Sequence, residues 1–249
     1  MILRVVVKVK VSWISAGVSS FIATYLVRDS VDKIVYIHIN DQHEDSMRFV
    51  RDCEKVLGRE IEILQHEKYK CLDDLFRAVP FINSPYGANC TRVLKKRVRL
   101  DWEKHYKGEQ FTYVWGYDAD EKNRADRVSD TMLDYEHEFP LIDRHLTKND
   151  VHGLSQKLGV DRPFMYELGY NNNNCLGCVK GGMGYWNKIR IDFPHIFEER
   201  ARQERIIGAS CIKGIYLDEL EAGRGRMSKE VMEECGILCE LAYIEKRSE

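Results

Sequence analysis

The chain has 249 residues, of which 44% are hydrophobic and 31% charged, with a formal net charge of −2. This is the composition of an ordinary globular protein, long enough for one large α/β domain or a domain with an appendage, and its charge excludes nucleic-acid binding driven by bulk positive charge. No apolar run approaches the roughly 20 residues of a membrane span, and eight cysteines in a chain whose start reads as a strand rather than a signal peptide point to reduced, metal-bound or catalytic thiols in the cytoplasm.

The elements follow in chain order. Val5 to Ile14 is valine-rich and reads as a buried strand that ends in Ser15-Ala-Gly-Val-Ser-Ser20. A helix through Phe21, Ala23 and Leu26 follows, then a strand from Lys33 to Ile39, a helix from Ser46 to Leu57 and a short strand from Glu60 to Leu64. Arg92 to His105 reads as helix and Phe111 to Gly116 as strand. Strands alternating with helices imply a doubly wound, mainly parallel sheet covered on both faces. Beyond about residue 160 the pattern turns to glycines and cysteines, then to one helix from Tyr185 to Arg205. The expected division is therefore an α/β nucleotide-binding domain at 1–160 and a cysteine-containing region at 161–249 packed on its active site. Asn171 to Asn174 suits a turn, because asparagine tolerates left-handed backbone.

The loop after the first strand joins it to a helix whose free N–H groups and dipole favour anions. Gly17 allows close backbone approach, and Ser15, Ser19 and Ser20 offer hydroxyls to phosphate oxygens; a plain serine N-cap is the alternative reading. Its place at the carboxyl end of a strand favours phosphate.

This loop resembles a degenerate form of the SGGxDS pyrophosphate loop of the adenine-nucleotide α-hydrolase-like (PP-loop) enzymes. The wider chain resembles their sulfonucleotide (phosphoadenosine phosphosulfate) reductase branch, of the type found in phage and bacterial genomes. Gly116-Tyr-Asp-Ala-Asp-Glu-Lys-Asn-Arg124 resembles the family's segment near the nucleotide, and Pro140-Leu-Ile-Asp143 with Thr147-Lys-Asn-Asp-Val151 its PLxDW and TxxDV stretch. Tyr166 to Tyr170 before Cys175-Leu-Gly-Cys178 resembles YxxGYxSIGCxxC, and Glu234-Cys-Gly-Ile-Leu-Cys239 the ECGxH tail. The matches are collinear from about residue 5 to 240. The resemblance implies an adenine nucleotide, ATP or phosphoadenosine phosphosulfate-like, at the Ser15–Ser20 loop with Gly116 and Arg124. It also implies a tail thiolate as nucleophile, Cys235 by position, with Cys239 as resolving thiol and an external thiol reductant such as thioredoxin.

The chain departs from the family in places. Ala16 stands for the second glycine of the loop and Ser19 for an aspartate, a loss that removes a magnesium contact and argues against ATP cleavage. Asp118 stands where the family has arginine, His38 where relatives carry an acid, and Cys239 displaces the tail histidine.

The cysteines leave three readings open. By the resemblance, Cys90, Cys175 and Cys178 hold a [4Fe–4S] cluster whose fourth iron is closed by Cys235 or Cys239, or left open. Alternatively, Cys175, Cys178, Cys235 and Cys239 hold zinc, or the thiols are unligated. Cys90 and the Cys175–Cys178 turn are expected to meet beside the nucleotide pocket, although 85 positions apart (175 − 90). Cys53, Cys71 and Cys211 have no partner at ligand spacing and read as buried structural cysteines.

Arg92, Lys95, Lys96, Arg97 and Arg99 follow Cys90, with Arg92 and Lys95 on one side of a helix. They read either as a solvated face or as a cationic face for a nucleotide, a sulfonate or a nucleic-acid backbone. The leading expectation is a cytoplasmic sulfonucleotide-reductase-like enzyme, in the host cytoplasm if phage-encoded. The alternatives are an ATP-dependent transferase that modifies a nucleic-acid base and a non-catalytic nucleotide-binding protein. A homo-oligomer is compatible with each, and none calls for a membrane.

Overall fold

The computed structural model describes residues 7–84 and 87–227. The chain divides into two compact units: 1–38, 44–64 and 98–164 form the first, and 39–43, 65–97 and 165–249 the second. The change of pattern near residue 160 thus marks one crossing between units. Two earlier stretches also belong to the second.

The first unit carries β1 (Lys8–Ile14), α1 (Val18–Val27), β2 (Lys33–Ile37), α2 (Asp45–Leu57) and β3 (Glu62–Leu64). The second holds α3 (Leu72–Ala78) and a two-stranded hairpin, β4 (Asn83–Ser84) with β5 (Gly87–Ala88), followed by a π-helix at Thr91–Arg97. The first unit resumes with α4 (Val98–Glu103), β6 (Gln110–Val114), α5 (Lys122–Thr131), β7 (Glu136–Glu138), α6 (Pro140–Asp143) and α7 (Lys148–Lys157). A short α8 (Phe164–Glu167) precedes the cysteine turn, and α9 (Met183–Asp192) and α10 (Pro194–Ile207) close the second unit. The single helix expected from Tyr185 to Arg205 is therefore two. Proline at 194 lacks the N–H that a helix interior needs, so the chain breaks at Phe193 and starts again.

Five strands form one sheet in the order β3-β2-β1-β6-β7, every pair parallel. The expected α/β class is what the chain adopts. Strand order runs one way from β1 through β2 to β3 and the other way through β6 to β7. Right-handed crossovers then place α1 and α2 on one face and α5 on the other. β1 is buried on both faces, at Val9, Val11, Ser12, Trp13 and Ile14, which explains its unbroken apolar reading. α1 is buried along its first seven residues, so its sequence shows little amphipathic contrast. α2 instead buries Ser46, Phe49, Val50, Cys53 and Leu57, one stripe at helical spacing, and ends at Gly58 with φ +63°. Arg48 ties its exposed side to Asp45 and Asp52 and to the Asp161 and Arg162 carbonyls. On the opposite side Trp102 packs edge-on against Trp13. Partly buried Glu103 there accepts from Arg99 at 2.9 Å and from the Tyr113 and Tyr135 hydroxyls. A carboxylate with three donors is satisfied rather than poised for chemistry.

Among the described residues no helix is long and apolar enough to cross a membrane.

Candidate functional site

Reversal of strand order between β1 and β6 creates a switch point, where open α/β sheets bind ligands at the carboxyl ends of their strands. The Ser15–Ser20 loop leaves β1 at that point. Its internal bonds are specific. The Ser20 hydroxyl donates to the Gly17 carbonyl at 2.9 Å and accepts from the Ser15 N–H at 3.0 Å. With that proton committed, the 3.0 Å contact between the Ser15 and Ser20 hydroxyls has Ser15 as donor. Ser20 therefore closes the loop, and it is the backbone of α1's first turn, entered through Gly17, that the loop presents. Ser19 is buried.

Ala16 takes φ +61°, in the left-handed region that disfavours a side chain. The position behaves as the glycine of the motif even though the residue is alanine. Ala16→Gly is expected to raise stability by about 0.5 kcal/mol, relief of left-handed strain offset by a more flexible unfolded chain. The same change at Ala23, inside α1, should lower it by about 1 kcal/mol. Urea unfolding of both variants checks the contrast.

Gly116 follows β6 and meets the same turn. A Cβ built there would stand 2.5 Å from Ser20 Cα and 2.6 Å from Ser20 N. Asp118, two residues on, caps the turn at Ala119–Glu121 in a capping box with Glu121. Burial, with Glu121 nearby, raises its carboxyl's pKa. Arg124 is buried, pairs with Glu121 at 2.7 Å and lies over the Tyr117 ring. Gly116 and Arg124 thus support the switch point in the same unit as the loop.

The second unit gathers the thiols. Cys175 and Cys178 are buried in one apolar cluster, and partly buried Cys90 packs against the same cluster. Gly177, at φ +64°, allows the reversal between the two turn cysteines, and the Trp186 ring lies against it. The Tyr185 hydroxyl holds the turn closed, accepting from the Cys178 N–H at 2.8 Å and donating to the Cys175 carbonyl at 3.2 Å. Tyr185 thus serves through its hydroxyl as well as through its buried ring. Backbone from the 39–43 stretch supports the turn from below, through the Leu176 N–H bond to the Asp41 carbonyl at 2.7 Å. The Asp41 side chain accepts from Leu72 N–H, and Arg200 stands 3.5 Å from it.

The asparagine run is not the left-handed turn anticipated. Among the described non-glycine residues only Ala16 and His145 have positive φ. Asn172, Asn173 and Asn174 are instead buried, and Asn171, Asn172 and Asn174 line a pocket with Tyr170, Tyr185 and Lys188.

The basic stretch also differs from its reading. It begins as a π-helix, whose bonds run from residue i to i+5, so Lys95 shares a side with Cys90 rather than with Arg92. Lys95 is 7% exposed and Arg99 is locked to Glu103, whereas Arg92 and Arg97 face solvent. A continuous solvated cationic face is therefore absent from the described residues.

Among the described residues no three His, Cys, Asp or Glu side chains are arranged to hold a single metal ion. A mononuclear zinc site needs four ligands at ~2 Å from one point. That reading would draw on Cys235 and Cys239, which lie outside the described residues. An iron–sulfur cluster is less demanding, because each thiolate binds its own iron. Three buried donors in this unit suit such a group. Asn89 and Thr91, each 1% exposed and flanking Cys90, leave Nδ2 and Oγ1 without a hydrogen-bond partner, as does Trp186 Nε1 beside the turn. Arg92 donates to Asn89 Oδ1 at 2.8 Å, so that amide's orientation is fixed. Buried donors without acceptors are costly, and cluster sulfurs accept hydrogen bonds.

Cys211 is buried, as its sequence setting suggests, and sequence reasoning missed Asn83 and Glu204, which hold it through tertiary packing alone. No spacing signal marks them.

No family model matches the chain, and no curated protein matches it. Among solved structures it is similar to the phosphate complex of phosphoadenylyl-sulfate reductase from Candida auris. The TM-score is 0.48 at 10% identity, over 67% of this chain and 80% of that one.

Proposed function

We propose that the chain is a sulfonucleotide-reductase-like enzyme that binds an adenine nucleotide at the Ser15–Ser20 loop and reduces a sulfonate by cysteine chemistry. The observation that supports this reading is an apolar cluster that buries Cys175 and Cys178, takes partly buried Cys90 against it and is edged by unpartnered donors. The collinear motifs give it its substrate class. Burial of Lys95 and Arg99 weakens the nucleic-acid alternative, and serine at position 19 weakens ATP cleavage.

In the first unit, backbone N–H groups of α1's first turn would receive phosphate oxygens, with Gly116 holding that turn against β6. In the reaction the Cys235 thiolate attacks the sulfonate sulfur, an S–S bond forms, and the S–O bond to the nucleotide phosphate breaks. The electron pair leaves with the phosphate. A thiolate from an external dithiol such as thioredoxin then attacks the S-sulfocysteine, releasing sulfite and leaving a disulfide. Cys90, Cys175 and Cys178 would hold an iron–sulfur cluster, which supplies concentrated charge and a rigid anchor.

Cys235→Ser is expected to abolish sulfite release, because serine is far less ionised near neutral pH, while leaving nucleotide affinity and metal content within about twofold of wild type. Isothermal titration with phosphoadenosine phosphosulfate and metal quantification on both proteins check it. Loss of metal would reassign Cys235 as a ligand. Undiminished sulfite release would remove the nucleophile role, and no adenine-nucleotide binding by wild type would defeat the proposal.

A further inference from the structure

We infer that the pocket beside the cysteine turn is a binding site for a small organic monoanion, a carboxylate or a sulfonate, held by Tyr170 and Lys188. The site is independent of the nucleotide loop and of any metal, and it uses residues of the second unit alone. The pocket encloses about 330 Å³, its open mouth included, and Tyr170, Asn172, Asn174, Tyr185, Lys188 and Met227 are among its lining residues. That volume lies at the lower end of the range for small-molecule sites.

Two donors line it side by side. Tyr170 is 8% exposed, and its hydroxyl is buried without a hydrogen-bonded partner. Burial, then the nearby Asp192 carboxylate, keeps the phenol protonated and so a donor. The second donor is the Lys188 ammonium, 4.7 Å from the centre of the Tyr170 ring. Tyr185, Lys188 and Asp192, spaced by three and four residues, share one side of α9. Asp192 takes Lys188 Nζ at 2.9 Å. That contact engages one of three ammonium protons and fixes the end of a flexible stem next to the phenol.

A buried hydroxyl without an acceptor is unfavourable, and a ligand oxygen would offset that. With a charged donor beside it, an anionic oxygen gains most. The charge balance then selects the class. One ammonium, already shared with a carboxylate, compensates a single negative charge and leaves a dianion such as sulfate undercompensated. A carboxylate or sulfonate spreads one charge over two or three oxygens, enough to accept from both donors. The rest of the pocket, with Asn172 and Asn174 beside Tyr185 and Met227, suits a body that is part polar and part apolar.

The test uses the full chain with four probes: methanesulfonate, acetate, sulfate and dimethyl sulfone, the last a neutral match for the first. Binding is read from backbone amide shifts, and stability from urea unfolding. Wild type should bind methanesulfonate or acetate with a Kd of about 1 mM, at least tenfold tighter than sulfate or dimethyl sulfone, with shifts centred on residues 169–174 and 183–192. Lys188→Met, which keeps the stem, should weaken that binding more than tenfold, and Lys188→Gln should do the same if the methionine variant folds poorly. Tyr170→Phe should weaken it about fivefold while raising the urea midpoint of the ligand-free protein, because an unpaired donor is removed. A hydroxyl with a structural role alone would give the reverse, a lower midpoint with unchanged affinity, and that result overturns the inference. So does undiminished binding by a folded Lys188 variant, shifts confined to the Ser15–Ser20 loop, or no saturable monoanion binding by wild type. Sulfate binding as tight as that of the monoanions overturns the ligand class.

Discussion

Gly116→Ala is expected to destabilise the protein by about 3 kcal/mol and to weaken adenine-nucleotide binding more than tenfold. The added methyl group would stand 2.5 Å from Ser20 Cα and 2.9 Å from the Ser19 carbonyl carbon, all backbone atoms. No rotamer change relieves such a contact, so β6 and the first turn of α1 must separate. That turn is the element proposed to receive the phosphates, and stability and affinity should therefore fall together. Gly153→Ala, in α7 with open space around the new methyl, is the control and should raise stability by about 1 kcal/mol. Urea unfolding and isothermal titration read both quantities. Unchanged affinity in a destabilised Gly116→Ala protein would detach the nucleotide from this loop.

Replacing Glu204 by alanine should cost about 3–5 kcal/mol, from two buried N–H groups left without acceptors and a void where the carboxylate stood. Its carboxyl is raised in pKa by burial, with the Cys211 and Leu217 N–H groups pulling the other way. Glu204→Gln keeps one acceptor oxygen, turns an amide donor towards the other N–H, and should cost roughly half as much. Thermal and urea melts rank the three proteins. A loss below about 1 kcal/mol in the alanine variant would show that the 209–217 loop is not held by this residue.

The elements of the nucleotide half could be read because their residues carry local signals. β1 and β2 are apolar runs, α2 repeats its buried residues at helical spacing, and the loop between β1 and α1 is rich in small residues. β7 could not be read. It is Glu-His-Glu, a half-buried edge strand whose pairing with β6 comes from the sheet rather than from its own residues. The π-helix was hidden for a related reason, since its seven residues suit an α-helix equally well and only the fold selects the wider turn. At the thiol site, Cys90 and the Cys175–Cys178 pair were legible through resemblance and spacing. The residues that hold buried Cys211 were not, because one of them is an amide in a hairpin 128 residues earlier.

The alternation of the two units along the chain sets an order for biosynthesis. A ribosome completes the first unit's sheet once β7 has emerged, while residues 39–43 and 65–97 are already made but still lack their partners. Those early stretches, with Leu72, Leu75, Phe76 and Ile82 among them, carry apolar surface that only the last third of the chain can cover. A nascent chain therefore waits, half finished, with Cys90 made before Cys175 and Cys178 exist. Dividing the gene near residue 160 would yield two fragments, of which the second could not rebuild the thiol core alone.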